Sequence, residues 1–204
     1  MLPDRALKTT FRNFSTLFLL GALVTVTAHL VYGFIFRDVL EIDELHRFVK
    51  GLTAGRTVNG VGRPDLDTAV QWSKAVIAVE ILFLPLLIGA ARRVIDRDEG
   101  GEVPTVVDAL RHPRSGTKLR FGFNGGELGT ILLGILLGVA TWLLASQLGL
   151  LIAEPLPDPW NFLSFSLTYG VAEALGLAFF LGALVTAGRS AARRRVGAES
   201  RAST

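Results

Sequence analysis

Four apolar runs constrain this chain more than anything else in it: about Phe14 to Phe36, Thr68 to Ala91, Glu127 to Ile152 and Phe162 to Thr186. Crossing about 30 Å of hydrocarbon takes roughly 20 residues of helix, and each run has that length. Inside a bilayer the backbone must satisfy its own polar groups, which a helix does within one segment. The expectation is an all-α, polytopic membrane protein, a four-transmembrane-helix bundle. It forms a single integral membrane domain over residues 1–204, with a basic tail over 187–204. The first run is longer than the core of a secretory signal and no Ala-x-Ala site follows it, so it reads as an uncleaved anchor.

The charges, 19% of the chain, cluster between these runs. The net charge of +3 therefore has a topological origin. No basic stripe interleaved with aromatics is present, so no nucleic-acid partner is expected. The chain has no cysteine, which excludes disulfides, thiolate metal ligands and a cysteine nucleophile. Its Ala-, Gly-, Leu- and Arg-rich composition suggests a bacterial source.

Orientation follows from Lys and Arg. Arg5, Lys8 and Arg12 precede the first run, and Arg92, Arg93, Arg97, Arg111, Arg114, Lys118 and Arg120 lie between the second and third. Arg189, Arg193, Arg194, Arg195 and Arg201 follow the fourth, whereas the hairpin AEPLPDPW has no basic residue. The first loop also holds arginines, offset by Asp38, Glu41, Asp43, Glu44, Asp65 and Asp67. Four spans put all three basic regions on one side, so both termini are expected in the cytoplasm and the protein in the inner (cytoplasmic) membrane. In the outer loop, Val39, Ile42, Leu45, Val49 and Leu52 have helical spacing and predict a short amphipathic helix. In the inner loop, PTVVDALRH predicts another, starting at Pro104 and stopped by Pro113. The N-terminal arm, with Leu2, Ala6, Leu7 and Phe11, is expected along the inner surface.

Membrane helices associate through close packing rather than through the hydrophobic effect, because lipid tails are as apolar as leucine. The third run carries a stripe of small residues, Gly126, Thr130, Gly134, Gly138, Thr141, Ala145 and Gly149, and the fourth carries Gly170, Ala174, Ala178 and Gly182. The short connection makes these runs antiparallel neighbours, and the two stripes are expected to meet. Pro85 removes a hydrogen bond and predicts a kink in the second span.

Two carboxylates are out of place. Glu80 stands inside AVIAVEILFLPLL and Glu173 inside YGVAEALGLAFF. An ionised carboxylate at mid-bilayer costs at least ~2.5–3.5 kcal/mol, so neither side chain should face lipid. Both spans run in the same direction and hold their Glu at a similar depth, which allows the carboxyls to share one level. His29, with Thr25 one turn before it, reaches the same half of the first span. Tyr169 and Ser166 share a face with Glu173, and Ser73 shares one with Glu80.

Three roles are open to His29, Glu80, Tyr169 and Glu173: structural hydrogen bonding, binding of a proton or cation, and ligation of a metal. No dense ligand motif such as HExxH supports a metal, so none is expected, and no other cofactor motif appears. The loops pair no nucleophile with a base, and NGVGRPD and GLTAGRT fail as nucleotide-binding loops. Glu127 sits in the first turn of the third span, where a negative charge suits the helix dipole. The expected function is that of an accessory or assembly subunit binding other membrane proteins, or itself, through small-residue faces. The alternative is a small proton- or cation-coupled transporter using Glu80 and Glu173, with a metal-dependent intramembrane enzyme third. The lipid bilayer is a partner in every case.

Overall fold

The structure is a computed structural model that describes residues 2–35, 66–102, 104–111, 124–153 and 161–202. The described residues form six helices and no strand: α1 (Leu2–Arg12), α2 (Phe14–Ile35), α3 (Leu66–Glu99), α4 (Val106–Arg111), α5 (Gly125–Ala153) and α6 (Asn161–Ala202). Four of these hold stretches long and apolar enough to cross a membrane, namely Phe14–Phe34, Lys74–Glu99, Gly125–Gly149 and Phe162–Arg194. The amphipathic helix expected between Val39 and Leu52 lies outside the described residues.

Local chemistry accounts for the helix ends. Asn13 separates α1 from α2; its carbonyl accepts the Leu17 N–H at 3.0 Å while its Nδ2 donates to the Thr9 carbonyl at 3.0 Å. A polar residue at such a junction satisfies backbone groups that a helix end leaves open. α3 stops where Gly101 adopts a left-handed φ of 79°, a conformation glycine takes without side-chain strain. Upstream, α3 continues through Pro85 as one helix. α5 opens on a reciprocal box: Asn124 Oδ1 accepts the Glu127 N–H at 3.0 Å, and Glu127 Oε2 accepts the Asn124 N–H at 2.9 Å.

The chain divides into two compact units. The first comprises Met1–Gly21, Leu84–Ala140 and Gly176–Thr204, and the second Ala22–Phe83 and Thr141–Leu175. In the first unit, α1 packs against α6 and is tied to the end of α3. It buries Ala6, Thr9 and Thr10, stacks Phe11 edge-on against Phe179 at 5.6 Å, and joins Asp98 through Arg12 Nε at 2.7 Å. α1 thus turns Ala6, Thr9 and Thr10 toward the protein and leaves most of Phe11 exposed. α5 lies against α6 at its glycines: a side chain at Gly134 would collide with Ala183, and one at Gly138 would stand 2.7 Å from the Gly176 carbonyl oxygen.

In the second unit, Gly170 of α6 meets the backbone of α2, where an added Cβ would lie 2.8 Å from the Val26 Cα. Beside that approach Thr25 Oγ1 donates to the Gly170 carbonyl at 2.8 Å. Gly149 of α5 meets Thr168, and Gly33 of α2 meets Ser166. Val76 and Phe165 form an apolar cluster with Tyr32, Phe162 and Tyr169.

The two small-residue stripes are expected to meet, and the glycine contacts show which parts of the helices do. α5 does use its stripe against α6, but it lands on Thr168, Gly176, Phe179 and Ala183. Gly170 and Gly182, from the α6 stripe, instead receive Val26 of α2 and Thr10 of α1; Ala174 and Ala178 are fully buried. The reason is that α6 is covered on most sides, with 67% of its apolar window buried against 17% for α5. A helix that packs all round needs small residues on more than one face.

Candidate cation site

The second unit brings together the polar side chains of three helices. α2 presents His29 one turn after Thr25, α3 presents Glu80 one turn after the buried Val76, and α6 presents Glu173 one turn after Tyr169. His29 Nε2 stands 2.8 Å from Glu173 Oε2. The Glu80 and Glu173 carboxyls face each other in the same cluster. One ligand atom from each of His29, Glu80 and Glu173 lies within 4.8 Å of the other two. The His29 side chain is 7% exposed and that of Glu173 27%, so the trio is buried on the histidine side and more open at the carboxyls.

The chemistry of the trio follows from its donors and acceptors. Two ionised carboxylates this close repel each other, and a hydrogen bond between them requires that one carry a proton, because an ionised carboxylate only accepts. With its proton on Nε2 the imidazole donates to an ionised Glu173, and the other tautomer accepts from a protonated one. Glu80 Oε1 is buried and accepts no hydrogen bond. A buried carboxyl oxygen with nothing donating to it is costly in a medium of low polarity. A proton or a metal ion added at this point removes that cost. One imidazole nitrogen and two carboxylate oxygens also suit a borderline divalent ion, and three protein ligands leave a fourth position open. The bond lengths of about 2.0–2.2 Å that such an ion requires would draw the three donors closer together.

Tyr169, expected beside the carboxyls, packs its ring on Phe165 at 4.6 Å between centroids and belongs to the apolar cluster with Val76. Sequence reasoning missed a second polar centre, in the first unit. Glu127 is fully buried and accepts from Arg194 Nε at 2.9 Å as well as from its own helix start. Arg189 contacts Asp96 at 3.1 Å and Glu99 at 2.6 Å. The spacing Asn124-x-x-Glu127 carried the local half of this signal; the arginine partners stand far away in sequence.

Four helices of membrane-spanning length define the class, a multi-pass, membrane-embedded α-helical protein. No protein family, curated relative or solved structure matches the chain, so the particular activity has to be argued from its own residues.

Proposed function

We propose that the protein is a small membrane carrier that binds a proton or cation at His29, Glu80 and Glu173 and couples its passage across the bilayer. The observation that supports this most directly is the convergence of these three ligand atoms within 4.8 Å, with Glu80 Oε1 buried and unmatched. Ionisable side chains in a membrane interior are expensive to keep, and ion or proton pathways are their commonest use. Orientation with both termini in the cytoplasm, in a cell's inner membrane, is part of the same reading and rests on the Arg-rich ends. The reading as an assembly subunit has weaker support. It needs free small-residue faces, yet Gly134, Gly138, Gly149, Gly170 and Gly182 all meet other parts of the same chain.

The test is flux. The purified chain is placed in lipid vesicles loaded with a pH-sensitive dye, or with a dye for divalent cations, and a gradient is imposed. Flux that is largely lost in Glu80→Gln and Glu173→Gln supports the carrier. Vesicles as tight as protein-free ones, or flux indifferent to both substitutions, overturn it and return the weight to the subunit reading.

A further inference from the structure

Away from the trio, a cleft of about 310 Å³ opens in the first unit. Arg5 of α1 and Arg189, Arg193 and Arg194 of α6 line it, with Glu99 of α3 as the lining carboxylate. Glu99 is shared by three of these arginines: Arg5 at 3.0 Å, Arg189 at 2.6 Å and Arg193 at 3.1 Å. Two further carboxylates stand beside the cleft, Asp96 on Arg189 and Glu127 on Arg194. Four guanidiniums against three carboxylates leave an excess of positive charge. The donor balance is more one-sided, since each guanidinium offers five N–H groups. Arg189 Nη1 is buried without a hydrogen-bond partner, and so is Oγ1 of Thr186, a buried residue that also lines the cleft.

The position of the cleft says what kind of anion fits. Two of the membrane-spanning stretches end at residues that line it, Glu99 and Arg194. The cleft therefore stands where the apolar part of both helices gives way to polar sequence. Leu2 and Ile95 give it apolar wall beside the arginines. A free anion would find only the charged half of this surface useful. A phospholipid would use both halves, the phosphate on the guanidiniums and Thr186, the start of an acyl chain on Leu2 and Ile95. Basic pockets between membrane helices bind anionic headgroups in this way, and the guanidinium fork matches phosphate oxygens in pairs.

We propose that this cleft is a binding site for the phosphate headgroup of an anionic phospholipid. The experiment uses the full chain purified in detergent and native mass spectrometry, with phosphatidylglycerol, phosphatidylcholine and inorganic phosphate as probes. Phosphatidylglycerol should be retained in preference to phosphatidylcholine. Arg193→Gln, at a side chain that is 58% exposed, should weaken retention by about fivefold. Thr186→Val, which removes the unmatched hydroxyl at nearly constant volume, should weaken it in the same direction. Circular dichroism of both variants should match that of the parent chain. Equal retention of the two lipids, or retention indifferent to both substitutions, overturns the proposal. Displacement of the lipid by inorganic phosphate at matching concentration makes the ligand a free anion and overturns the lipid assignment.

Discussion

Glu127 and Arg194 meet across 67 residues of sequence, with Arg194 Nε donating to Glu127 Oε1 at 2.9 Å. Glu127 is fully buried, and the same carboxylate accepts the Asn124 N–H that begins α5. One side chain thus closes a helix start and anchors the end of another helix. Glu127→Ala should lower the stability of the chain by about 2 kcal/mol, combining a lost cap with a lost charge-assisted bond. Arg194→Gln should also destabilise, because it leaves the fully buried Glu127 carboxylate without its charged donor while the cap to Asn124 survives. Unfolding of the single and double variants in mixed micelles gives the coupling between the two; additive losses would mean the pair is incidental.

Glycines of α5 separate into two kinds. Gly138 would place a Cβ 2.7 Å from a backbone oxygen that cannot move alone, whereas Gly129 has open space around it. Gly138→Ala should destabilise by about 1–3 kcal/mol through overpacking. Gly129→Ala should be neutral or stabilise by up to about 1 kcal/mol, since alanine is the better helix former. Thermal unfolding of the two variants side by side checks the contrast, and equal effects would argue against the close contact.

Asn13 donates to Asp98 Oδ2 at 2.8 Å, and Arg12 joins the same carboxylate. Asn13 itself is buried. Asn13→Ala should cost about 1–2 kcal/mol, as the Thr9 carbonyl and the Asp98 carboxylate each lose a donor. Protease sensitivity of the α1–α2 junction should rise with it. A stability change below the error of the measurement would show that water replaces the amide without cost.

Divalent cations provide a direct probe of the trio. Zn2+ should raise the unfolding midpoint of the chain, and the rise should vanish in Glu80→Gln and Glu173→Gln. At a hundredfold excess over the dissociation constant the stabilisation should reach about 2.7 kcal/mol. The ion competes with protons for the carboxylates and the imidazole, so its affinity should fall as the pH is lowered. Stabilisation that persists in both variants places the ion elsewhere; its complete absence leaves the proton as the cargo of the carrier.

The four spans were legible because membrane helices announce themselves by length and apolarity, which need no tertiary knowledge. Counting residues along the spans also put Glu80 and Glu173 at one level with His29, since three isolated polar groups in hydrocarbon have few places to go. The faces of α6 were not legible. Its small residues serve α1 and α2 at Gly182 and Gly170 and α5 at Gly176 and Ala183, and a helix packed all round carries no single stripe that names its neighbour. Spacing places Tyr169 on the face of Glu173, but it does not reveal that the ring packs on Phe165. The arginine contacts of Glu99 and Glu127 join residues remote in sequence, where local spacing carries no information.

The long-range ion pairs at the helix ends also set a timetable for biogenesis. Arg12 waits for Asp98, 86 residues later, and Glu99 then waits for Arg189, 90 residues later again. At a synthesis rate of about 5–20 residues per second each wait lasts roughly 4–18 s. The first latch can close once the second span has left the ribosome, and the next only when the fourth is nearly complete. Insertion of the spans must therefore run well ahead of their final association. Through that interval the polar residues of α2 and α3 lack the Glu173 that completes their set.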